Sequence, residues 1–126
     1  MRVLLDSSVL IDVLRGNPPA VQLLSDHIEA GDEIWAVVVT RAEVLAGMRS
    51  SERRLTQRLL VEPLWLDVDT ELADAAGTLA RRHRASHAGI GLVDYLIAAG
   101  VERLGARLLT RNVRHFPMIA DLAPAY

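Results

Sequence analysis

Four oxygen-bearing side chains stand where helices are predicted to begin, and they are the residues of this chain best suited to chemistry. Each of them falls in the first turn of a predicted helix: Asp6, Glu43, Asp94 and Asn112. For three of them a predicted strand comes directly before the helix. The carboxyl ends of parallel strands share one edge of a sheet, and ligands bind in the crevice there. We therefore expect these four residues to converge.

Each of these residues also has an ordinary structural explanation when it is taken alone. Asp6 and Asn112 belong to the residue types that cap helix N-termini. Thr40 and Glu43 have the spacing of a capping box, in which the glutamate accepts a hydrogen bond from the threonine amide. The helix dipole favours an acid in the first turn, which accounts for Asp94. Capping and convergence are therefore two readings of the same residues.

Electrostatic magnitudes separate the two readings once the acids are considered together. A cap contributes about 0.5–2 kcal/mol. Two carboxylates ~4 Å apart repel by about 4 kcal/mol at an effective dielectric near 20. Capping alone could not offset that repulsion, whereas a bound divalent cation could. Three carboxylates and a carboxamide offer only hard oxygen ligands, which favour Mg²⁺ or Mn²⁺ over zinc.

The elements that must position these residues alternate along the chain. The predicted strands are 2–5, 34–39, 64–68 and 107–110. The predicted helices are 7–15, 20–30, one from Thr40, one from Ser50, a long one capped by Asp69 or Thr70, and 92–104, with a short turn from Asn112. Residues 118–126 could add a weak edge strand. This α/β alternation predicts a three-layer α/β/α sandwich with a mostly parallel central sheet.

Composition limits the possible functions. The 126 residues fit one domain, 1–126, and contain no cysteine, which suits a reducing cytoplasm. No apolar run is long enough for a membrane span, so we expect a soluble protein. The net charge is −2 and every one of the 14 basic residues is arginine. Enzymes that need a catalytic lysine are excluded, and any nucleic acid must bind a local arginine patch.

Three segments carry a family resemblance. They are VLLDSSVLIDVLR at 3–15, VTRAEVLAGM at 39–48 and GLVDYLIAAGVERLGARLLTRNVRHF at 91–116. In this order they resemble the motifs of PIN domains, specifically the VapC family of bacterial toxins, over nearly the whole chain. The resemblance implies that Asp6, Glu43 and Asp94 are the metal-binding acidic triad. It places Asn112 where many relatives carry a fourth acid.

The resemblance also implies a function and partners. The chain would be an endoribonuclease toxin that depends on Mg²⁺, or on Mn²⁺, and cleaves tRNA, rRNA or mRNA in the cytoplasm. It would form a homodimer and a hetero-oligomer with a cognate VapB-type antitoxin. A metal-bound water loses a proton more easily and attacks a phosphodiester, while the metal offsets charge on the phosphate.

Residues around the four polar positions are candidates for binding substrate. Arg111 and Arg114 flank Asn112, and we expect their guanidinium groups to contact RNA phosphates. Ser8 is a further candidate for the substrate site, and Ser7 or Ser8 could instead orient Asp6 or a metal-bound water. His115 could assist the arginines or simply pack. Asp12 lies almost two turns into the first helix and is interpreted as structural.

Several alternatives remain open at this point. A catalytically silent PIN-like domain would keep the fold and bind RNA without cleaving it, and Asn112 slightly favours this reading. A Mg²⁺-dependent phosphatase of another α/β fold is suggested by Asp67-Val68-Asp69, but that mechanism needs a lysine. His83 and His87 have the i, i+4 spacing of zinc ligands. They lack the glutamate of an HExxH motif and a third ligand, so an exposed helix end explains them better.

Overall fold

The fold is given by a computed structural model, which describes residues 1–86 and 89–126. The strands are β1 Arg2–Leu5, β2 Glu33–Val37, β3 Leu64–Leu66 and β4 Arg107–Leu109. The helices are α1 Ser7–Leu14, α2 Pro18–Glu29, α3 Val38–Gly47, α4 Arg53–Leu59, α5 Thr70–His83 and α6 Leu92–Leu104. Ser50–Glu52 and Val113–His115 form 3-10 turns. His87, one half of the histidine pair considered above, lies outside the described residues.

The four strands form one sheet in the order β3-β2-β1-β4, and every described pair is parallel. β1 is central: Val3 is in register with Ile34 of β2 on one side and with Arg107 of β4 on the other. The predicted parallel sheet is therefore confirmed. Its order places the ends of β2, β1 and β4 side by side, and these are the strands that lead towards Glu43, Asp6 and Asn112.

Helices cover both faces of the sheet, which makes three layers. The connections from β1 to β2 and from β2 to β3 run in one direction across the sheet, and the connection from β3 to β4 runs back past β1 in the other direction. Because crossovers between parallel strands are right-handed, connections in opposite directions lie on opposite faces of the sheet. Side chains of β1 alternate accordingly: Leu4 joins one core cluster, and Val3 and Leu5 join the other. The first cluster contains residues of α5 and α6, and the second contains residues of α1 to α4.

The beginning of α3 differs from its prediction. The β-branched run IWAVVV predicted a strand to residue 39, but the strand ends at Val37 and the helix begins at Val38. Val39 packs against the first core cluster from within the helix, so tertiary packing outweighs β propensity here. Thr40 is consequently a buried interior residue, and no side chain caps α3. The predicted Thr40–Glu43 capping box is wrong, and Glu43 lies beyond the first turn.

The last residues also differ from the expectation. Residues 118–126 contain turns and irregular backbone, so the suggested edge strand is absent from this described segment. A single backbone bond lies beside β4, in which the Ala125 amide donates to the Thr110 carbonyl at 2.9 Å. Among the described residues, no helix combines the length and apolar composition needed to cross a bilayer.

Two fully buried threonines provide a test of the observed start of α3, which places Thr40 inside the helix. Thr40 has no hydrogen-bond partner for its hydroxyl among the described residues, whereas the Thr56 hydroxyl donates to the Glu52 carbonyl at 2.8 Å. Thr40→Val removes an unpartnered buried hydroxyl and should raise the free energy of unfolding by about 1 kcal/mol. Thr56→Val should lower it by a similar amount, about 1 kcal/mol. Urea denaturation of both variants measures this, and a loss of stability in Thr40→Val would contradict the assigned burial.

Candidate active site

Asp6 is the most firmly held residue at the carboxyl edge of the sheet. It is the N-cap of α1 and is only 4% exposed. Its Oδ1 accepts hydrogen bonds from the Ser8 amide at 2.9 Å, from the Val9 amide at 3.4 Å and from the Ser8 hydroxyl. The capping interpretation of Asp6 is therefore correct. It does not exclude a functional role, because capping also fixes the direction of the carboxylate.

Thr110 holds the other oxygen of Asp6. The buried Thr110 hydroxyl donates to Asp6 Oδ2 and accepts from the Asn112 amide at 2.9 Å. Sequence reasoning missed this residue. The register of the sheet explains its position, because Leu5 pairs with Leu109 and Asp6 and Thr110 directly follow these two residues. Thr110 therefore links the end of β4 directly to the candidate site.

Ser8 makes a second link of the same kind. Its hydroxyl donates to Asp6 Oδ1 and accepts from the Arg111 amide at 3.2 Å. Both hydrogen-bonding roles are thus occupied by protein groups. This arrangement matches the suggestion that a serine orients Asp6, and a contact of Ser8 with substrate stays a prediction. We assign Ser8 a positioning role.

Glu43 reaches the site from α3. Partial burial of its carboxyl group raises the pKa of Glu43 above its ordinary value. A hydrogen bond from the Ser7 hydroxyl opposes this shift, and the negative charges of Asp94 and Asp6 add to it. Glu43 therefore lies within electrostatic reach of the other two predicted acids, although the helix that carries it begins two residues earlier than expected.

Asp94 reaches the site from the first turn of α6, as predicted. Partial burial raises the pKa of Asp94. The His115 ring lowers that pKa, and the charge of Asp6 raises it again. His115 Nδ1 lies 3.3 Å from Asp94 Oδ2, so the histidine that sequence reasoning left undecided contacts an acid of the candidate triad.

The three acids therefore converge, and they repel one another. Within residues 1–86 and 89–126, however, no three histidine, aspartate or glutamate side chains lie close enough together, as they stand, to hold a metal ion. The donor set still fits a hard divalent cation, since it consists of carboxylate oxygens. The charge fits as well, because burial and repulsion by like charges raise the pKa values of Glu43 and Asp94, and a cation would offset both effects.

Asn112 stands beside this cluster at the start of the 3-10 turn Val113–His115. The predicted helical turn is thus present, but the Asn112 side chain makes no capping hydrogen bond. The backbone amide of Asn112 donates to the Thr110 hydroxyl, and the same hydroxyl donates to Asp6. One side chain therefore positions the fourth candidate residue relative to the first.

The two predicted phosphate-binding arginines have different surroundings. Arg111 Nη1 lies 2.8 Å from Asp12 Oδ2, and its guanidinium carbon stands 5.8 Å from the centroid of the Tyr126 ring. Arg114 is exposed and forms no ion pair with any residue that the structure describes. Asp12, interpreted as structural, holds Arg111. Tyr126 was not singled out by sequence reasoning.

Asp69 of the suggested phosphatase motif has a structural role. Asp69 is the N-cap of α5, as predicted, and accepts from the Leu72 amide at 2.8 Å. Arg103 forms two hydrogen bonds of 2.9 Å with the same carboxylate. These contacts lower the pKa of Asp69, with the Arg103 hydrogen bonds as the main cause. Asp69 therefore joins α5 to α6 rather than serving a catalytic centre.

Comparisons with known proteins identify the family of this chain. The PIN domain family model matches residues 3–122. Ribonuclease VapC19 of Mycobacterium tuberculosis is 47% identical over 123 residues, covering 98% of each chain. Ribonuclease VapC10 of the same organism is 43% identical over 124 residues, covering 98% of this chain and 92% of that relative.

A solved structure shows the same fold. VapBC2 from Rickettsia felis, bound to a DNA fragment from their promoter, superposes with a TM-score of 0.83 at 18% identity. The match covers 98% of this chain and 97% of that one. The chain therefore belongs to the PIN-domain family. Within that family it is similar to ribonucleases of the VapC type, which confirms the resemblance and rejects a phosphatase of another fold.

The raised pKa of Asp94 makes a prediction about stability. A folded-state pKa above the ordinary value means that stability falls as pH rises through the interval between the two, and stays reduced above it. Asp94→Asn removes that cost. In metal-free buffer at pH 7 the variant should therefore melt no lower than the parent chain, and its advantage should vanish below pH 3.8. Melting curves across pH measure this.

Asp74→Asn is the matched control for this experiment. Asp74 is exposed on α5, away from the acid cluster, so its melting temperature should follow the parent chain at every pH. If Asp94→Asn melts clearly lower at pH 7, Asp94 stabilises the helix start and the claimed repulsion is wrong.

Proposed function

We propose that this chain is a Mg²⁺-dependent endoribonuclease of the VapC toxin type, with Mn²⁺ as an alternative cofactor. One observation carries the proposal: the convergence of Asp6, Glu43 and Asp94 at the carboxyl edge of a parallel sheet. There the charges of Asp94 and Asp6 add to the burial that raises the pKa of Glu43, and the charge of Asp6 adds to the burial that raises the pKa of Asp94. The similarity to two proteins named ribonucleases supports RNA as the substrate.

The three acids have distinct tasks in this proposal. Asp6 is the rigid ligand, because hydrogen bonds to both of its oxygens fix the carboxylate. Glu43 and Asp94 are the acids that a cation would relieve of repulsion. When bound, the cation would supply a water of lowered pKa and offset charge on the phosphate. Asn112 would add a neutral oxygen at the fourth position, and so attract a second cation less strongly than an acid.

Thr110 and Ser8 act on the reaction through Asp6. A ligand that is displaced slightly loses much of its effect, because catalytic groups must be held in their productive geometry. The two hydroxyls prevent rotation of the carboxylate, and they also bind the amides of Asn112 and Arg111. The loop after β4 is thereby fixed to the start of α1. This would hold the substrate-binding and metal-binding residues at fixed positions relative to one another.

Arg111 and Arg114 would bind the RNA backbone. The chain as a whole is slightly negative, so attraction to RNA must be local. Both arginines lie in the loop and turn that carry Asn112, and Arg114 is exposed. Guanidinium groups bind phosphate oxygens with paired hydrogen bonds, which suits positioning of the scissile phosphate.

Cleavage assays test this proposal. The purified chain should cut RNA in the presence of Mg²⁺ or Mn²⁺ and stop when EDTA is added. Asp94→Asn should reduce cleavage by about 100-fold or more, since loss of even an outer partner of a metal ligand costs about 10–100-fold. Asp74→Asn should keep full activity.

Two outcomes would contradict the proposal in different ways. Undiminished cleavage in EDTA would reject metal dependence. RNA binding without cleavage at any Mg²⁺ or Mn²⁺ concentration would favour the catalytically silent PIN-like domain.

We extend the proposal to partners. A cluster of mutually repelling carboxylates attracts a guanidinium group as well as a metal ion. An antitoxin of the VapB type could therefore neutralise the site with an arginine. The structure of VapBC2 from Rickettsia felis supports such a partner for this chain. A homodimer of the toxin is a further part of the proposal.

Co-expression tests the partner. The product of a small reading frame next to this gene should co-purify with the chain and block RNA cleavage at equimolar concentration. Replacing the arginine that enters the acid cluster by alanine should weaken the block, while a distant arginine-to-alanine change should not. Continued cleavage in an excess of that product would argue against the toxin assignment and leave the nuclease assignment intact.

A further inference from the structure

The last two described residues fold back onto the candidate site. The Ala125 amide donates to the Thr110 carbonyl at 2.9 Å, and the Ala125 side chain packs against the core cluster beneath α1 to α4. This places Tyr126 beside the loop that carries Arg111. The segment is therefore anchored by both a backbone hydrogen bond and apolar packing.

Tyr126, Asp12 and Arg111 contact one another in a closed triangle. The Tyr126 hydroxyl donates to Asp12 Oδ2, and Arg111 Nη1 lies 2.8 Å from the same oxygen. The Tyr126 ring centroid lies 5.8 Å from the Arg111 guanidinium carbon, within the range of a cation–π contact. Burial and the hydrogen bond to Asp12 raise the pKa of Tyr126, so its hydroxyl remains a donor at neutral pH.

We infer that Asp12 and Tyr126 are positioning residues that hold the Arg111 guanidinium in place for an RNA phosphate. The inference rests on the proposed ribonuclease function, and it adds two residues that the acidic motifs do not contain. They act from α1 and from the last residue described, on an arginine in the loop after β4.

The geometry leaves Arg111 able to bind a ligand. A guanidinium group has five N–H donors in a rigid plane, and Asp12 engages it through Nη1. The Tyr126 ring lies over the guanidinium group. The Arg111 side chain remains 52% exposed, so phosphate can still approach it. The Asp12 side chain is only 17% exposed, so it is a fixed support for the guanidinium group.

The opposing interpretation is that Tyr126 stabilises the fold and has no effect on substrate. The two interpretations differ in what they predict for KM and kcat. A residue that acts only through Arg111 changes RNA affinity, and its effect disappears once Arg111 is removed. A purely structural residue lowers the fraction of folded enzyme and leaves KM unchanged.

Steady-state cleavage kinetics on one RNA test the inference. Arg111→Ala should raise KM about tenfold, as expected for a lost hydrogen bond to a charged group. Tyr126→Ala should raise KM about two- to fivefold with little change in kcat, as expected for an exposed cation–π contact. Tyr126→Phe keeps the aromatic ring, so its KM should lie close to the parent value. The double variant Arg111→Ala/Tyr126→Ala should match Arg111→Ala alone.

Arg103→Ala is the matched control, because it breaks another arginine–aspartate pair at the far end of α6 from Asp94. Its KM should stay at the parent value. Additive effects of Arg111→Ala and Tyr126→Ala, or a Tyr126→Ala variant with unchanged KM, would overturn the inference.

RNA binding separates failure of this inference from failure of the proposed function. Dissociation constants for the same series in an Asp94→Asn background should follow the pattern predicted for KM. If RNA is bound in that pattern and the parent chain with Asp94 intact never cleaves it, the ribonuclease proposal fails and the positioning role stands. If RNA is neither cleaved nor bound, both are overturned.

Discussion

The hydrogen bonds of one carboxylate, that of Asp6, belong both to the fold and to the candidate site. It caps α1 through Oδ1 and meets the end of β4 through Oδ2, so it joins the first helix to the edge strand of the sheet. A buried carboxylate needs such partners, because an unsatisfied charge would be costly. The bonds that satisfy Asp6 also fix its orientation, so the helix cap and the proposed metal ligand are one residue with one geometry.

The other two acids show the opposite condition. Glu43 and Asp94 have raised pKa values because they are partly buried near like charges. Neither is compensated as Asp6 is, although Ser7 and His115 each offset part of the cost. A fold that places incompletely compensated charges together is less stable at that point. Strain of this kind is common at functional sites, where a ligand supplies the missing partner.

Much of this arrangement follows from sequence patterns, and the failures have physical causes. Alternating elements predicted the parallel sheet, and the polar residues at the helix starts predicted that the acids converge at one edge of it. The start of α3 was missed because β propensity describes Val38 and Val39 in isolation, while packing of Val39 favours the helix. Thr110 was missed because its role depends on the register of β1 and β4, which no local pattern encodes.

Tyr126 was missed for a related reason, and it shows how a slightly negative chain could still recognise a polyanion. Placing Asp12 beside Arg111 reduces the net positive charge that an RNA phosphate meets, so long-range attraction is weakened. In exchange the guanidinium plane is fixed before RNA arrives, and less rotational freedom is lost on binding. Affinity for RNA then depends more on the orientation of the Arg111 guanidinium group than on the total charge of the chain. A free arginine would attract any anion, whereas one held by Asp12 and Tyr126 favours a phosphate presented beside Asp6 and Asn112.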